Sequence, residues 1–215
     1  MSSPTVPNPV EVAQRKRILL LAKRAIDILG AGLAIILLSP TFLVVALLIK
    51  LHDRGPVILR RRMVGNKGEF RMLKFRSMCL NADEVLRRDP ALWREYQKNF
   101  KLDQDPRITP VGRVIRRYSL DELPQLFNVL RGDMSLVGPR SITHEELGKY
   151  GDFRQLLQTV KPGLSGYWQT EGRSRVSYEE RVSMDVYYIR NWSLLLDLKI
   201  LLKTPLVVLR ADGAC

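Results

Sequence analysis

The sequence predicts a mainly helical α/β protein with a small β element: an N-terminal re-entrant membrane helix hairpin, then a cytosolic domain with interfacial amphipathic helices. Three observations carry that expectation. They are an apolar segment interrupted at Ser39–Pro40, one pair of strand-like runs around a Gly-Asn turn, and a succession of short helical patterns punctuated by Pro and Gly.

Residues 1–16, opening "MSSPTVPNPV", read as a flexible polar tail. Residues 17–52 hold about 24 mostly apolar residues, enough for a helix to reach across a bilayer core. The run is too long for a signal-peptide core, and no small-residue cleavage site follows it. Pro40 lacks an N–H and its ring clashes with the preceding turn, so a helix must kink or break there. Arg15, Lys16, Arg17, Lys23 and Arg24 lie before the run, and Lys50, Arg54, Arg60, Arg61 and Arg62 lie after it. Positive residues favour the cytoplasmic side, so a straight crossing would carry one cluster over, whereas a hairpin bent at Pro40 keeps both on one side. The charge argument therefore favours the hairpin over a full span, with a buried core helix as the third reading. Asp27 is costly in lipid unless it is paired or near the interface, which a shallow hairpin permits.

Residues 53–215 form the second unit. "VILRRR", the turn "GNKGE" and "FRMLKFRSM" read as two strands of a hairpin. "NADEVLRRDPALWREYQKNF" reads as helix interrupted by Pro90, with Asn81 as a cap. "DQDPRITPVGRVIRR" is a loop followed by a short basic helix. "HEELGKYGDFRQLLQTV" reads as one further helix, and "KPGLSGYWQTEGRSR" as a Gly-rich loop or short strand pair. "SYEERVSMDVYYIRN" and "SLLLDLKILLKTPLVVLR" close the chain as helices. The last is apolar with Lys199, Lys203 and Arg210 interspersed, as expected of a helix in the headgroup region or of a core helix with a solvated edge. Tyr187 and Tyr188 are expected in the core.

Lys and Arg number 35 against 22 Asp and Glu, a net charge of +13, which points to polyanions, phosphorylated ligands or an anionic membrane surface as partners. Cys79 and Cys215 lie far apart without a CxxC, and His52 and His144 have no partner at ligand spacing. That excludes a disulfide framework and a zinc site, and fits a reducing, cytosol-facing location.

The stretch "SLDELPQLFNVLRGDMSLVGPR" from Ser119 to Arg140 holds the chemistry-bearing candidates. Ser119 and Glu122 fit the S-x-x-E capping box, but Pro124 would then fall where its missing N–H costs a helical bond. With Asp121 as N-cap, Pro124 falls in the first turn, where that N-H is free, so the helix start is expected at Asp121. Arg113, Arg116 and Arg117 precede the pair and Gly132, Gly138 and Arg140 follow it, so cations converge on a helix start able to hold a phosphate. One carboxylate can then attack phosphorus while the other holds a divalent cation; Mg²⁺ fits because it accepts one or two carboxylates and fills its shell with phosphate oxygens and water. The residues alone thus point to phosphate handling and phosphoryl transfer at a membrane. The alternative is a membrane-anchored basic binding module for anionic lipid or nucleic acid, with no catalysis.

From about Lys23 to Leu209 the chain resembles the bacterial sugar transferases, or monotopic phosphoglycosyl transferases, which begin exopolysaccharide and O-antigen repeat units. The resemblance rests on "KRAID" before an apolar segment broken by Ser-Pro, then "KFRSM", "SLDELPQLFNVLRGDMSLVGPR", "KPGLSGYWQTEGRS" and "DVYYIRNWSLLLDLKILLKT", in that order. It implies a transferase of the bacterial inner membrane with its catalytic domain on the cytoplasmic face. The implied donor is a UDP-hexose and the acceptor polyprenyl (undecaprenyl) phosphate, with membrane lipids as surroundings, a possible homodimer and no nucleic acid. An aspartate would attack the β-phosphate, release UMP and carry the phosphosugar to the acceptor. By motif position Asp121 is the implied nucleophile and Glu122 the Mg²⁺ ligand. Arg140 and Arg173 are the implied phosphate-binding arginines, since a guanidinium fork matches two phosphate oxygens. Arg116 is implied as a guide for the polyprenyl phosphate. Lys74 and Arg76 of "KFRSM" are expected to face the site or anchor the interface, and Gln169 and Asp185 to lie close to the site. The chain departs from many relatives at Ser141, where they have Pro, at Lys161 in "KPG", where they have Arg, and in "YWQTEGRS". The "WQ...GR" region and the C-terminal motif lean towards galactose- or glucose-1-phosphate as the transferred group.

Overall fold

The computed structural model describes residues 9–100, 102, 104–172 and 176–210. Helix α1 runs from Pro9 to Asp53 and contains Pro40. The Ile36 carbonyl, which would have accepted from the N–H that Pro40 lacks, accepts instead from the Ser39 hydroxyl at 2.8 Å. Strands β1 (Ile58–Gly65) and β2 (Gly68–Phe75) form an antiparallel hairpin with Ile58 opposite Phe75 and Gly65 opposite Gly68. Helices α2 (Ala82–Arg88) and α3 (Pro90–Asn99) follow, divided where expected. Pro90 is the first residue of α3, and the Asp89 side chain accepts from the amides of Ala91 and Leu92. Helix α4 (Pro110–Arg117) is capped by the Thr109 hydroxyl, which accepts from Gly112 N–H.

A 3-10 turn, Leu120–Glu122, leads into α5 (Gln125–Arg131) and then β3 (Ser135–Val137). Helix α6 (His144–Leu147), a 3-10 stretch over Gly148–Phe153 and α7 (Arg154–Leu157) come next. The single helix expected here is broken because Gly151 adopts φ +50, outside helical geometry. Strand β4 (Gly163–Ser165) pairs parallel with β3, placing Ser135 opposite Gly163, and is followed by α8 (Tyr167–Glu171). Helices α9 (Tyr178–Arg190) and α10 (Leu194–Arg210) complete the described chain; Ser177 and Glu180 make a full capping box at the start of α9. The protein is thus mostly helical, with two small two-stranded sheets.

The "KRAID" residues fasten α1 to the rest. Lys23 Nζ donates to the Val137 carbonyl at 2.9 Å and pairs with Asp197 Oδ2 at 2.6 Å. Arg24 donates to the carbonyls of Val129 at 2.6 Å and Leu130 at 2.8 Å in the last turn of α5, where the Val129 carbonyl also accepts from the Gly132 amide. Asp27, 3% exposed, accepts from the Ser135 hydroxyl at 2.9 Å and the Leu136 amide at 2.8 Å. Sequence alone gave Asp27 a choice between pairing and the lipid interface, and pairing prevails because two donors of β3 meet it. Beyond Pro40, Val45 and Ile49 pack with Phe75 of β2 and Ile115 of α4, and Arg76 pairs with Asp53 at the end of α1. Arg76 therefore serves structure and does not face the carboxylate pair. Between these attachments Leu29, Leu33, Ile36, Leu37, Leu43, Val44 and Leu47 remain exposed.

Asp197 also accepts from Tyr188 Oη at 2.7 Å and Trp192 Nε1 at 3.0 Å, which joins α9 and α10 to the same anchor. Tyr188 is buried as expected, whereas Tyr187 is 48% exposed. Truncating one member of a buried ion pair strands the other charge. Asp197→Ala is therefore expected to cost about 3 kcal/mol of stability, and the paired change Lys23→Met with Asp197→Leu distinctly less. Thermal unfolding in detergent checks the order of the two.

Candidate functional site

The site is built where β2, α4, the 3-10 turn and the segment after β3 meet. Alternation along β2 sends Phe75 into a cluster with Val45, Ile49 and Ile115 and turns Lys74 the other way. Leu120 and Leu123 pack on that same cluster. The two residues between them, Asp121 and Glu122, meet Lys74: its Nζ lies 2.9 Å from Asp121 Oδ2 and 3.4 Å from Glu122 Oε1. Asp121 is 3% exposed, while the Glu122 side chain keeps 21% of its surface open.

The turn that presents the pair differs from the expected one. Ser119 sits in the left-handed region at φ +53, and Leu123 N–H closes a 3-10 turn on the Leu120 carbonyl. Pro124 then precedes α5, which starts at Gln125, and Asp121 makes no side-chain capping bond. The expected helix start at Asp121, and with it the capping role and the helix-terminus anion site, is therefore corrected. The left-handed Ser119 reverses the chain before a helix can begin, and Pro124 delays it further. Side-chain cations supply the positive field instead. Burial pushes the Glu122 carboxyl up, but the charges of Lys74, Arg140 and Arg116 outweigh it and hold the group below the usual carboxylate range. Arg113 and Arg117 are exposed and Arg116 half-buried.

Arg140 is placed by a close backbone crossing. A Cβ on Gly163 would fall 2.1 Å from the Gly138 nitrogen, so only glycine lets β4 approach the segment carrying Pro139 and Arg140. Arg140 also bridges to Gly163, and its guanidinium carbon lies 5.4 Å from the Trp168 ring centroid. Gln169 of α8 donates to the Leu164 carbonyl of the preceding strand β4 at 3.2 Å, and its buried Oε1 has no partner among the described residues. Arg173 lies outside the described residues.

Asp185 on α9 is fully buried behind Arg140 and accepts from Tyr150 Oη at 2.8 Å. Burial pushes its carboxyl up to about 7, although the Tyr150 hydroxyl, the Arg181 charge and the Arg140 amide and charge all oppose the rise. Arg181 donates to Tyr178 Oη at 2.9 Å and pairs with Glu146 at 3.3 Å. These four residues, Tyr150, Tyr178, Arg181 and Glu146, were not found by sequence reasoning. Two signals were present: Arg181 and Asp185 stand four apart on one helix face, and Thr143 with Glu146 has capping-box spacing, realised as a Glu146 N–H to Thr143 Oγ1 bond at 3.2 Å.

Because Asp185 keeps its proton in the folded chain and gives it up near 3.8 when unfolded, its contribution is present below that lower value. It fades as pH rises and is lost above about 7. Wild-type stability is expected to fall across this window, and Asp185→Asn to flatten the fall; denaturant midpoints taken at pH 5, 6, 7 and 8 check the slope.

The family described as bacterial sugar transferase matches residues 18–211. An undecaprenyl-phosphate galactose phosphotransferase of Salmonella typhimurium is 50% identical over 198 residues, covering 89% of this chain and 41% of the relative. The exopolysaccharide production protein ExoY of Sinorhizobium fredii is 46% identical, covering 90% of this chain and 88% of the relative. A UDP-glucose:undecaprenyl-phosphate glucose-1-phosphate transferase of Escherichia coli is 40% identical over 86% of this chain and 39% of its own length. The chain thus spans about two fifths of the two named phosphotransferases and most of ExoY.

Proposed function

From the premise that the chain belongs to the bacterial sugar transferase family, we propose that it moves a hexose-1-phosphate from a UDP-sugar to undecaprenyl phosphate and releases UMP. This is the first membrane step of exopolysaccharide or related glycoconjugate synthesis. The observation that carries the reading is the Asp121–Glu122 pair held against Lys74 in a field set by Arg116 and Arg140. The relatives' names supply the substrate class, with galactose and glucose both represented.

In the first step an oxygen of Asp121 bonds to the β-phosphorus of the donor, and the bond from that phosphorus to the UMP oxygen breaks. UMP leaves with the bond's electron pair, and a phosphosugar-aspartyl intermediate remains. In the second step an oxygen of undecaprenyl phosphate bonds to the same phosphorus and the Asp121 carboxylate departs. Lys74 keeps two carboxylates tolerable side by side, and Arg140 offers its guanidinium to the diphosphate. Among the described residues no three His, Cys, Asp or Glu side chains gather as a metal cage. Two adjacent carboxylates suit Mg²⁺, which fills its shell from substrate phosphate and water; Glu122, with Asp121 beside it, would hold it. When bound, the ion would neutralise phosphate charge against the approaching carboxylate.

The same proposal sets the protein in the cytoplasmic membrane, its catalytic domain on the cytoplasmic face and α1 as a re-entrant hairpin. A transverse crossing needs roughly 20 residues of helix to span about 30 Å of hydrocarbon, whereas only residues 32–41 of α1, about 15 Å of helix, separate residues 23–31 from residues 42–49. Both stretches pack against the same domain, through Asp27 and Ala31 before Pro40 and Val45 and Ile49 after it. The exposed leucines of α10, Leu195, Leu198, Leu202, Leu206 and Leu209, give it an apolar stripe suited to the interface.

Asp121→Asn is expected to lower UMP release by at least about 10⁴-fold, as loss of a nucleophile does, and Glu122→Gln to abolish most of the activity. Release from a panel of UDP-sugars with Mg²⁺ and undecaprenyl phosphate reads this. Activity surviving in Asp121→Asn removes the covalent route. For the hairpin, single cysteines at Arg17 and Arg54, in a chain freed of Cys79 and Cys215, are expected to react only from the cytoplasmic side. Labelling of either from the opposite side removes the hairpin.

A further inference from the structure

Four arginines are engaged around the domain in contrasting ways. Arg76, Arg107 and Arg181 each point into a carboxylate, those of Asp53, Asp105 and Glu146. Such a pairing fixes a guanidinium but consumes its donors. Arg140 differs: its guanidinium donates to no described residue, and it is neither frayed into solvent nor paired. It lies over the indole of Trp168, 5.4 Å from the ring centroid. The same ring has Arg181 at 5.5 Å, and Arg181 is itself 4.3 Å from the Tyr178 ring and tied to Glu146.

We propose that Trp168 is a positioning residue for Arg140, resting on the phosphate-transfer reading above. The ring holds the guanidinium through its π-face, so every N–H stays free for the donor's diphosphate. A carboxylate in the same place would compete with phosphate for those donors. The ring face is a fixed reference because α8 is seated on the strand segment that carries Arg140. A Cβ on Gly166 would fall 2.5 Å from the Gly138 carbonyl, so the two backbones touch there. Arg181, anchored by Glu146 and Tyr178, steadies the indole. The indole N–H has no partner among the described residues, so the aromatic surface is what the position uses, and a phenyl ring can serve in its place.

The test is a double-mutant cycle on the full chain in detergent, with UDP affinity measured by calorimetry and donor KM and kcat beside it. Trp168→Phe is expected to bind UDP within about twofold of wild type. Trp168→Met, which keeps bulk without a ring face, and Trp168→Leu are each expected to weaken UDP about tenfold, raising donor KM more than they lower kcat. In an Arg140→Ala background the same substitutions are expected to do nothing further. The proposal is overturned if Trp168→Met weakens UDP equally in both backgrounds, if Trp168→Phe is as damaging as Trp168→Met, or if the wild type has no affinity for UDP. Absence of UMP release by a wild type that binds UDP would strike the transfer reading alone, since the affinities still decide the role of Trp168.

Discussion

Burying a carboxylate is the constraint around which this chain is organised. Four aspartates, Asp27, Asp121, Asp185 and Asp197, are almost wholly removed from solvent, and each must find donors or charge there or lose its ionised form. Their partners come from distant parts of the sequence. Asp27 is met by β3, Asp197 by α1 and α9, Asp121 by β2, and Asp185 by the 3-10 stretch after α6. Satisfying all four at once leaves little freedom in how α1, the hairpin, α9 and α10 assemble. The apolar clusters fill the space that these contacts define.

The four solutions are chemically distinct, and the differences match position. Asp197 receives a lysine, a phenol and an indole N–H, a complete set suited to a permanent joint. Asp121 receives a lysine that it shares with Glu122, so its compensation is partial. Asp185 has one side-chain donor, the Tyr150 phenol, and its other oxygen has no hydrogen-bond partner among the described residues, so burial outweighs the Arg140 and Arg181 contributions and pushes its carboxyl up to about 7. The Asp197 joint is saturated, whereas the carboxylates of Asp121 and Asp185 are not. Unsaturated donors and acceptors are what a reacting phosphate can use.

Much of the architecture was legible because it is set locally. Gly65 and Gly68 with Asn66 between them fixed the β-hairpin, Pro90 divided α2 from α3, and the polar loop of "DQDPRITPVGRVIRR" led into a short basic helix, α4. The acidic pair stood out because cations before and after it converge on two adjacent carboxylates, although its spacing also suited a helix cap that the folded turn does not form. What escaped was set by tertiary contact. "KRAID" looks in sequence like the basic flank of a membrane segment with a stray acid, and only the arrival of β3, α5 and α10 makes it a clamp. The left-handed Ser119 has no glycine or asparagine to announce it. Asn128, wholly buried, bridges to β2 through Arg71 O and Leu73 N–H like an extra strand residue, and nothing in its neighbours foretells that. The Arg181–Glu146–Tyr178 group spans two helices whose adjacency no local pattern encodes.

The Lys23–Asp197 joint links residues 174 apart in the chain. A ribosome adding about 5–20 residues per second needs on the order of ten seconds or more to travel that distance. During synthesis, therefore, the apolar helix is ready for lipid well before its anchoring carboxylate exists, and Lys23 must wait in contact with water or headgroups. Closing the Lys23–Asp197 joint becomes one of the last events of biogenesis. A nascent chain released before Asp197 would still hold α1 through Arg24, Asp27, Val45 and Ile49, but it would leave Lys23 without its carboxylate.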